Sequence, residues 1–354
     1  MYPPRGLQKR KGLCYTDCNR HEPVWCAEAH ELRFFVLLYA TEGYDSHQRT
    51  YTLFFFRIYR KTKLKDFKNE GLPLMQMIPN QLETLVQNWE AIYRYGTREE
   101  RIERAGKWLP YYSFLSKQAA GQPFDFSFDP TGFVSTLICE GILKPDDTLL
   151  EIGAGNGDFA LRLAKRCRHV TALEMNPAGI TLMQRRAADY GIGNMNMVCA
   201  LWEQYEPEQV FDVTFISMCP AICNIEEILK MEAATRRTCC IVTVLPGSYD
   251  YHRRAMMKEL ELHPAGMMTD GDRYREILTA MGRNVRVFST ETVSRHDLTL
   301  DQILAQYSVY FGIFGISERD AQTYLRGYFM RNAENGILHD ERRMRLALVT
   351  WNVN

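Results

Sequence analysis

The sequence predicts an α/β protein built on a mostly parallel sheet with helices on both faces. Three observations support this fold class. From residue 147 onward, apolar strand-like runs alternate with helical segments, as in proteins built from strand–helix–strand units. The strand-like runs are continuously apolar, which is typical of strands buried on both faces. Glycines follow the first of these runs directly, at the edge where such sheets bind ligands.

The composition is that of an ordinary globular protein. Its 354 residues suffice for one large domain or for a domain with an appendage. Lys+Arg and Asp+Glu both number 43, so the net charge gives no general reason to expect nucleic-acid or membrane-surface binding. No apolar run reaches the roughly 18 residues of a membrane span, and the basic N-terminus lacks the apolar stretch of a signal peptide. The lack of a membrane span and of a signal peptide, together with ten scattered cysteines, predicts a reduced, cytoplasmic protein.

The first of three predicted regions is a basic, β-rich N-terminal extension over residues 1–70. It holds 13 lysines and arginines against 8 aspartates and glutamates. The runs ELRFFVLLYA and TYTLFFFRIY flank a glycine-containing connection and predict a β-hairpin. Residue types that can bind metals cluster before them, namely Cys14, Cys18, His21, Cys26 and His30. Because this spacing is not that of a structural zinc site and no second cysteine pair follows, we predict no metal.

The second region is a predicted helical lid over residues 71–145. The stretch QLETLVQNWEAIYRY has apolar residues at helical spacing, namely Leu82, Leu85, Val86, Trp89, Ile92 and Tyr93. The pattern continues in REERIERAGKWL until Pro110, where we expect the helix to end because proline lacks a backbone N–H. A short apolar helix is expected within residues 131–143.

The third region, residues 146–354, carries the predicted sheet. Strands are expected at residues 147–155, 169–175, 196–202, 211–218, 238–246, 285–293 and 344–351. Helices are expected at residues 158–167, 177–191, 224–234, 272–282 and 300–311. A helical insert at about residues 300–335 precedes the last strand. It could cap a pocket or form a dimer face, and its apolar stripe at 303–314 is expected to lie in the core.

The stretch LLEIGAGNGDFA, residues 149–160, carries the strongest functional signal. Gly153, Gly155 and Gly157 follow a strand and open a helix, and glycines allow a sharp turn and close approach of the backbone to a ligand. Glu174 ends the next strand, 21 residues after Gly153, where a carboxylate can accept hydrogen bonds from both hydroxyls of a ribose. A plain strand–helix turn would explain the glycines but not this second acid. The ligand therefore contains a nucleoside.

The acids around the loop bear on which nucleoside is bound. The third glycine of a dinucleotide fingerprint would fall at Asp158, and Glu151 stands two residues before the first glycine. A carboxylate at this position disfavours a pyrophosphate and suits a cationic group. S-adenosylmethionine carries an ammonium, a sulfonium and a ribose, so it fits better than a dinucleotide. A dehydrogenase is correspondingly disfavoured.

The pattern E-x-G-x-G-x-G, followed by an acid at the end of the second strand, resembles the class I S-adenosylmethionine-dependent methyltransferase family over about residues 85–354. The resemblance implies a Rossmann-like, doubly wound, seven-stranded sheet with an antiparallel last strand. It also implies that Glu151 and the loop residues Gly153, Ala154, Gly155 and Gly157 line the methionine moiety. Glu174 would bind the ribose, and Met175 and Trp202 would lie beside the adenine. Leu201 stands where many relatives have an acid that contacts the adenine amine.

The motif Ser217-Met218-Cys219-Pro220-Ala221-Ile222 ends the fourth expected strand, beside the sulfonium in this family. It resembles a set of little-characterised prokaryotic methyltransferases with Ser-Met-x-Pro-Ala-Ile, expected to act on small molecules. The backbone of Ser217 and Met218 would hold the sulfonium region. The glycine loop is also similar to that of ribosomal-RNA adenine dimethyltransferases, but their Asn-Leu-Pro-Tyr is absent and with it the aromatic platform for a flipped base.

Candidates for catalysis are Tyr111, Tyr112, Cys219 and His252. The two tyrosines and Trp108 lie where this fold often places a lid helix. Cys219 could face the substrate, although free cysteines are often small buried apolar groups. His252, close to Tyr249 and Asp250, could be a general base near neutral pH or a surface histidine.

The sequence therefore predicts transfer of a methyl group from S-adenosylmethionine to a small-molecule acceptor by in-line displacement. Two alternatives stay open. The basic N-terminal extension could deliver an RNA or protein substrate, or the chain could be a non-catalytic module that binds the cofactor. A homodimer is possible, and neither a metal nor a membrane partner is expected.

Overall fold

The computed structural model describes residues 33–42, 49–58, 72–126, 129, 131–263 and 268–353. The chain separates into two compact units, Met1–Pro73 and Leu74–Asn354. None of the helices in the described ranges combines the length and the apolar character that crossing a membrane requires. Within the same ranges, no three His, Cys, Asp or Glu side chains come together in a way that could hold a metal ion.

The first unit contains a β-hairpin. Strands β1 (Arg33–Glu42) and β2 (Arg49–Ile58) pair antiparallel, from Arg33 opposite Ile58 to Glu42 opposite Arg49. The cluster of cysteines and histidines between residues 14 and 30 lies outside the described residues. Apart from this hairpin, the described residues ahead of the sheet are mostly helical, so the part of the N-terminal region that the structure describes is mainly helical rather than β-rich.

Two long helices and one short helix precede the sheet, namely α1 (Leu72–Tyr93), α2 (Arg98–Ala120) and α3 (Phe133–Cys139). The helical conformation is interrupted between α1 and α2, where Gly96 adopts a φ of 72°. Thr97 then starts α2 with a capping box, in which its side chain and that of Glu100 satisfy each other's backbone N–H groups.

The expectation that the helix ends at Pro110 is wrong, because α2 runs through this proline to Ala120. Proline removes one hydrogen bond and crowds the carbonyl four residues earlier, but tertiary packing can offset that cost. Tyr111 and Ser116, in the turns after Pro110, are both buried and hold the second half of α2 against its neighbours. The lid helix is therefore longer than the sequence pattern indicated.

The second unit is organised around an eight-stranded sheet. Its strands are β3 (Thr148–Ile152), β4 (His169–Glu174), β5 (Met195–Cys199), β6 (Phe211–Ser217), β7 (Thr235–Val244), β8 (Tyr249–Asp250), β9 (Val285–Leu298) and β10 (Leu338–Asn352). The order is β5-β4-β3-β6-β7-β10-β9, with the two-residue β8 continuing the β7 side of β10. Neighbours from β5 to β7 are parallel, and β10 is antiparallel to β7, β8 and β9. The predicted mostly parallel sheet with an antiparallel last strand is confirmed, with one strand more than expected.

The strand order places a ligand edge at the centre of this sheet. After β3 the chain moves outward through β4 and β5, then returns to the other side of β3 to form β6 and β7. The order therefore reverses between β3 and β6, and the carboxyl ends of β3, β4 and β6 meet there. Open parallel sheets bind ligands at such a reversal point.

Helices cover both faces of the sheet. They are α4 (Ala160–Ala164), α5 (Pro177–Asp189), α6 (Ile225–Ala233), α7 (Tyr251–Glu259), α8 (Gly271–Ala280), α9 (Leu300–Gly312) and α10 (Glu318–Asn332). One core cluster joins α4 and α5 to Leu149 of β3, and another joins α1, α6 and α8 to the adjacent Leu150. Successive strand residues thus enter opposite cores, which explains why the strands are continuously apolar.

The helical insert forms a third core with the lid. Residues of α9 and α10 pack with Tyr111 of α2 and Met256 of α7, and Ile303, Tyr307 and Phe311 are buried there. The apolar stripe of α9 thus lies in the core, as predicted. Helix α7 was not predicted, because YHRRAMMKE has few apolar residues to mark a helical face.

Candidate functional site

The glycine loop between β3 and α4 has a backbone that only glycine adopts without strain. Gly153, Gly155 and Gly157 have φ values of 70°, 57° and 82°. A Cβ at Gly153 would lie 2.7 Å from the Cys219 Sγ, and one at Gly157 would lie 2.6 Å from the Met183 Cγ. Apart from the neighbouring loop residues, no atom of the described part of the chain lies within 4 Å of the corresponding point at Gly155. The loop is therefore tightly packed at its two ends and open at its middle glycine.

Glu174 ties this loop to the end of β4. It is 7% exposed, and its two carboxylate oxygens accept hydrogen bonds from the Gly155 N–H at 2.7 Å and the Asn176 N–H at 2.8 Å. Burial raises the pKa of Glu174, although the backbone N–H groups of Asn176 and Gly155 act in the opposite direction. Each carboxylate oxygen retains a lone pair, so Glu174 can accept hydrogen bonds from two further donors.

Glu151 is a buried acid with one carboxylate oxygen that no described residue satisfies. Its side chain points from β3 into the region of the glycine loop and is 1% exposed, and no described residue forms a hydrogen bond with its Oε2. Burial raises the pKa of Glu151 well above its ordinary value, and the nearby acids Asp158 and Glu174 raise it further. A buried oxygen of this kind is costly to the fold unless a ligand supplies a donor.

Replacing Glu151 by glutamine is expected to change how stability depends on pH. The folded chain keeps the Glu151 proton at pH values where the unfolded chain, with a pKa of about 4.3, has lost it. Stability therefore falls as pH rises through this window, by up to about 1.4 kcal/mol per pH unit. Urea unfolding from pH 4 to 8 should show Glu151→Gln gaining stability relative to wild type as pH rises. The exposed Glu226→Gln is the matched control, and parallel curves for wild type and Glu151→Gln would contradict the assignment.

Helix α2, the predicted lid helix, contacts both loops of the site through two serines. The Ser116 hydroxyl donates to Asn156 Oδ1 at 2.6 Å and accepts from Asn176 Nδ2 at 3.0 Å. The Ser113 hydroxyl donates to Asn176 Oδ1 at 3.0 Å. Because Asn156 lies inside the glycine loop and Asn176 follows β4, α2 spans the two segments that would hold a nucleoside. Sequence reasoning missed both serines, since nothing local distinguishes them from surface residues of an amphipathic helix.

The segment after β6 brings Met218 and Cys219 to the same edge. Met218 has a φ of 51°, an unfavourable conformation for a side chain of its size, and its N–H donates to the Val242 carbonyl at 2.9 Å. The Cys219 side chain packs against Gly153. Burial raises the pKa of the Cys219 thiol to about 12, so it is neutral at physiological pH and is a poor nucleophile.

Of the predicted catalytic tyrosines, the structure brings Tyr112 closest to these groups. Burial raises its pKa, and the charges of Cys219 and Glu174 raise it further. Its ring stacks on Trp108 with centroids 5.5 Å apart. Tyr111 instead points toward α9, where its ring meets Tyr310 at 5.2 Å and its hydroxyl bonds to Gln306. The two adjacent tyrosines thus face different surroundings.

His252 is held by hydrogen bonds and is not a surface residue. It is 5% exposed, its Nδ1 accepts from the Tyr328 hydroxyl at 2.8 Å, and its Nε2 donates to the His339 carbonyl at 3.0 Å. These partners fix the tautomer, because a carbonyl can only accept. With both ring nitrogens engaged, His252 supports packing rather than proton transfer. The partners are far away in sequence, so the motif alone did not reveal them.

Trp202 lies deeper than the resemblance implied. It is 2% exposed, and the Lys230 ammonium lies over its ring at 4.5 Å. The Oε1 atom of the neighbouring Glu203 lies 3.6 Å from Nε of the buried Arg101, and Glu227 Oε1 lies 2.8 Å from Nη2 of the same guanidinium. Sequence reasoning missed this charged cluster because Arg101 and Glu227 are brought together only by the packing of α2 on α6.

Two surface cavities among the described residues lie away from these strand ends. One of about 650 Å³ lies between α1 and the end of α8 and is lined by Leu85, Thr279 and Met281 among others. Another of about 480 Å³ follows α10, from Glu318 to Arg326. Neither contains a residue of the glycine loop, of β4 or of the segment after β6. The chemistry of the strand ends, rather than cavity size, therefore identifies the site.

Comparison with known proteins supports this location. A family model described as a methyltransferase domain matches residues 149–239, a segment that contains every residue of the glycine loop, Glu174 and the segment after β6. A curated relative, the probable ribosomal RNA small subunit methyltransferase A of Methanosarcina acetivorans, is 40% identical over 76 residues, 21% of this chain and 28% of that protein. The protein-L-isoaspartate O-methyltransferase of Protochlamydia amoebophila is 29% identical over 101 residues, 27% of this chain and 44% of that protein.

The matched part of the chain spans about a quarter of the length of the first of these relatives. Among solved structures, coclaurine N-methyltransferase bound to N-methylheliamine and S-adenosylhomocysteine is 15% identical. It is covered over 93% of its length and 78% of this chain, with a TM-score of 0.38.

Proposed function

We propose that this chain, whose residues 149–239 form a class I S-adenosylmethionine-dependent methyltransferase domain, methylates a small-molecule acceptor. One observation carries the choice of cofactor. Glu151 Oε2 is buried without a partner beside a glycine loop that is open at Gly155. A nearby ammonium would let Glu151 ionise and pair with it, whereas a pyrophosphate would bring no positive charge to this buried acid.

The residues present fit the three polar parts of S-adenosylmethionine. Glu151 would face the ammonium, and the backbone from Gly153 through Ala154 to Gly157 would line the methionine moiety. Glu174 would accept hydrogen bonds from the ribose hydroxyls with the lone pairs that Gly155 and Asn176 leave free. Met175, which is partly exposed, would contact the adenine. Trp202 is too deeply buried to present its ring to the adenine, so we assign it a supporting role behind the adenine pocket.

The chain's own contribution to catalysis would be positioning and exclusion of water. The bound cofactor supplies a methyl group on a sulfonium, which needs an aligned acceptor and no enzyme nucleophile. The backbone of Ser217 and the strained Met218 would shape the sulfonium region. The neutral Cys219 thiol and the Tyr112 phenol would form the acceptor wall. Because its pKa is raised, Tyr112 would donate a hydrogen bond to the acceptor rather than remove its proton.

The lid supports a small acceptor. Helix α2 is hydrogen-bonded across both cofactor loops and packs on α9, so the site lies beneath helices of the same chain. A flipped nucleobase would also need an aromatic platform after β6, where this chain has Cys219 and Pro220. The observation that favours RNA as the alternative substrate is the 40% identity to a probable ribosomal RNA methyltransferase over 76 residues. The prokaryotic subtype suggested by the motif Ser-Met-x-Pro-Ala-Ile stays a prediction.

Methyl-labelled S-adenosylmethionine separates these acceptors. The purified chain would be incubated with a deproteinised small-molecule extract and, separately, with total RNA at two salt concentrations. Label is expected in the small-molecule fraction and not in RNA. Transfer to RNA that falls steeply with salt would contradict the proposal and favour the alternative.

A further inference from the structure

Arg253, near the start of α7, offers hydrogen-bond donors that no described residue uses. Its Nε lies 3.6 Å from Asp250 Oδ2, and its side chain is 39% exposed. Neither of its Nη atoms donates a hydrogen bond to any residue in the described ranges. A planar guanidinium with its outer edge free is the geometry that binds a carboxylate with two parallel hydrogen bonds.

Asp250 is not paired with Arg253 alone, because Arg342 also donates hydrogen bonds to its carboxylate. Arg342 donates to Asp250 Oδ2 from both Nε, at 3.1 Å, and Nη2, at 2.8 Å. The other acid of this cluster, Asp340, is 4% exposed and accepts the His252 backbone N–H. The charges of the two arginines and the two acids sum to zero. Arg253 would therefore attract an anion through its free Nη donors rather than through excess positive charge.

A row of aromatic rings leads from Arg253 to Tyr112 of α2. The guanidinium carbon lies 5.9 Å from the centre of the Tyr310 ring, and Tyr310 meets Trp108 at 6.0 Å. Trp108 stacks on Tyr112 with ring centroids 5.5 Å apart, and Cys219 and Glu174 are among the groups whose charge raises the pKa of Tyr112. Aromatic walls favour flat apolar bodies, and a cation at the far end favours an anionic substituent.

We propose that the methyl acceptor is a flat aromatic acid, with its ring against Trp108 and Tyr112, the partly exposed members of this row, and its carboxylate paired with Arg253. This rests on the proposed function, since it names the acceptor class of the same site. Arg253 would then determine specificity, because an uncharged analogue would leave its guanidinium edge unpaired.

The test uses matched pairs of acids and primary amides as probes, namely 4-hydroxybenzoate with 4-hydroxybenzamide and indole-3-acetate with indole-3-acetamide. Binding is measured calorimetrically on the full chain, with and without saturating S-adenosylhomocysteine. The acid of at least one pair is expected to bind roughly 10- to 100-fold more tightly than its amide. Arg253→Met should remove this preference, Arg253→Lys should restore part of it, and the exposed neighbour Arg254→Met should keep it.

Equal binding of acid and amide by wild type, no acid binding at millimolar concentration, or an unchanged preference in Arg253→Met would each overturn the proposal. Folding is not expected to confuse the result, because Arg342 continues to hold Asp250 when Arg253 is replaced. Failure of the proposed function is distinguishable. In that case S-adenosylhomocysteine itself does not bind, while the preference for acids can still be measured without it.

Discussion

Replacing Glu174 by glutamine is expected to weaken binding of S-adenosylhomocysteine by roughly 100-fold or more, because one of the two acceptors for the ribose hydroxyls becomes a donor and the other loses its charge. The glutamine amide would also turn an N–H group toward the Gly155 or Asn176 N–H, each of which now donates to a carboxylate oxygen. Isothermal titration calorimetry measures the effect directly.

The matched control for Glu174→Gln is Glu226→Gln, which makes the same chemical change on the exposed surface of α6. It should bind as wild type does. Retained binding in Glu174→Gln, in a chain that unfolds at the same urea concentration as wild type, would remove Glu174 from the cofactor site.

Replacing Gly153 by alanine is expected to destabilise the chain by about 1–3 kcal/mol and to weaken cofactor binding. The added Cβ would lie 2.7 Å from the Cys219 Sγ and 2.9 Å from its Cβ, and the residue has a φ of 70°. Relief of the clash would displace either the glycine loop or the segment after β6, and both form the site. Urea unfolding and calorimetry report the two effects separately.

The double variant Gly153→Ala with Cys219→Gly tests the cause. It removes both close contacts and leaves only the backbone strain, so binding should recover in part, with a favourable coupling in the double-mutant cycle. Gly193→Ala is the control, since Gly193 has an ordinary φ and open space around its Cβ position. Additive effects of the two substitutions would show that the loop and the segment after β6 are not in contact.

The parts of the site that the sequence predicted are those set by local rules. A strand followed by Gly153, Gly155 and Gly157 favours a tight loop, because glycine alone adopts without strain the positive φ values found at these three alternate positions. Glu174 follows the next strand, and parallel strands place their carboxyl ends at one edge. Local rules did not predict that β10 runs antiparallel, because pairing across about 100 residues leaves no local pattern. That direction was predicted only from the family resemblance.

The parts that the sequence did not predict depend on packing between distant segments. Pro110 lies inside α2 because the buried turns after it are held by the rest of the fold. His252 is buried because Tyr328 and the His339 carbonyl, 76 and 87 residues away, satisfy its ring. Ser116 meets Asn156 and Asn176 only because α2 crosses the strand ends.

The most direct test of the account is a calorimetric titration of the wild-type chain with S-adenosylhomocysteine, with NAD as the control ligand. Micromolar binding of S-adenosylhomocysteine and no detectable binding of NAD are expected, because an ammonium gives the buried Glu151 a counter-charge and a pyrophosphate does not. Failure to bind S-adenosylhomocysteine, or tighter binding of NAD, would contradict the central claim that this glycine loop holds S-adenosylmethionine.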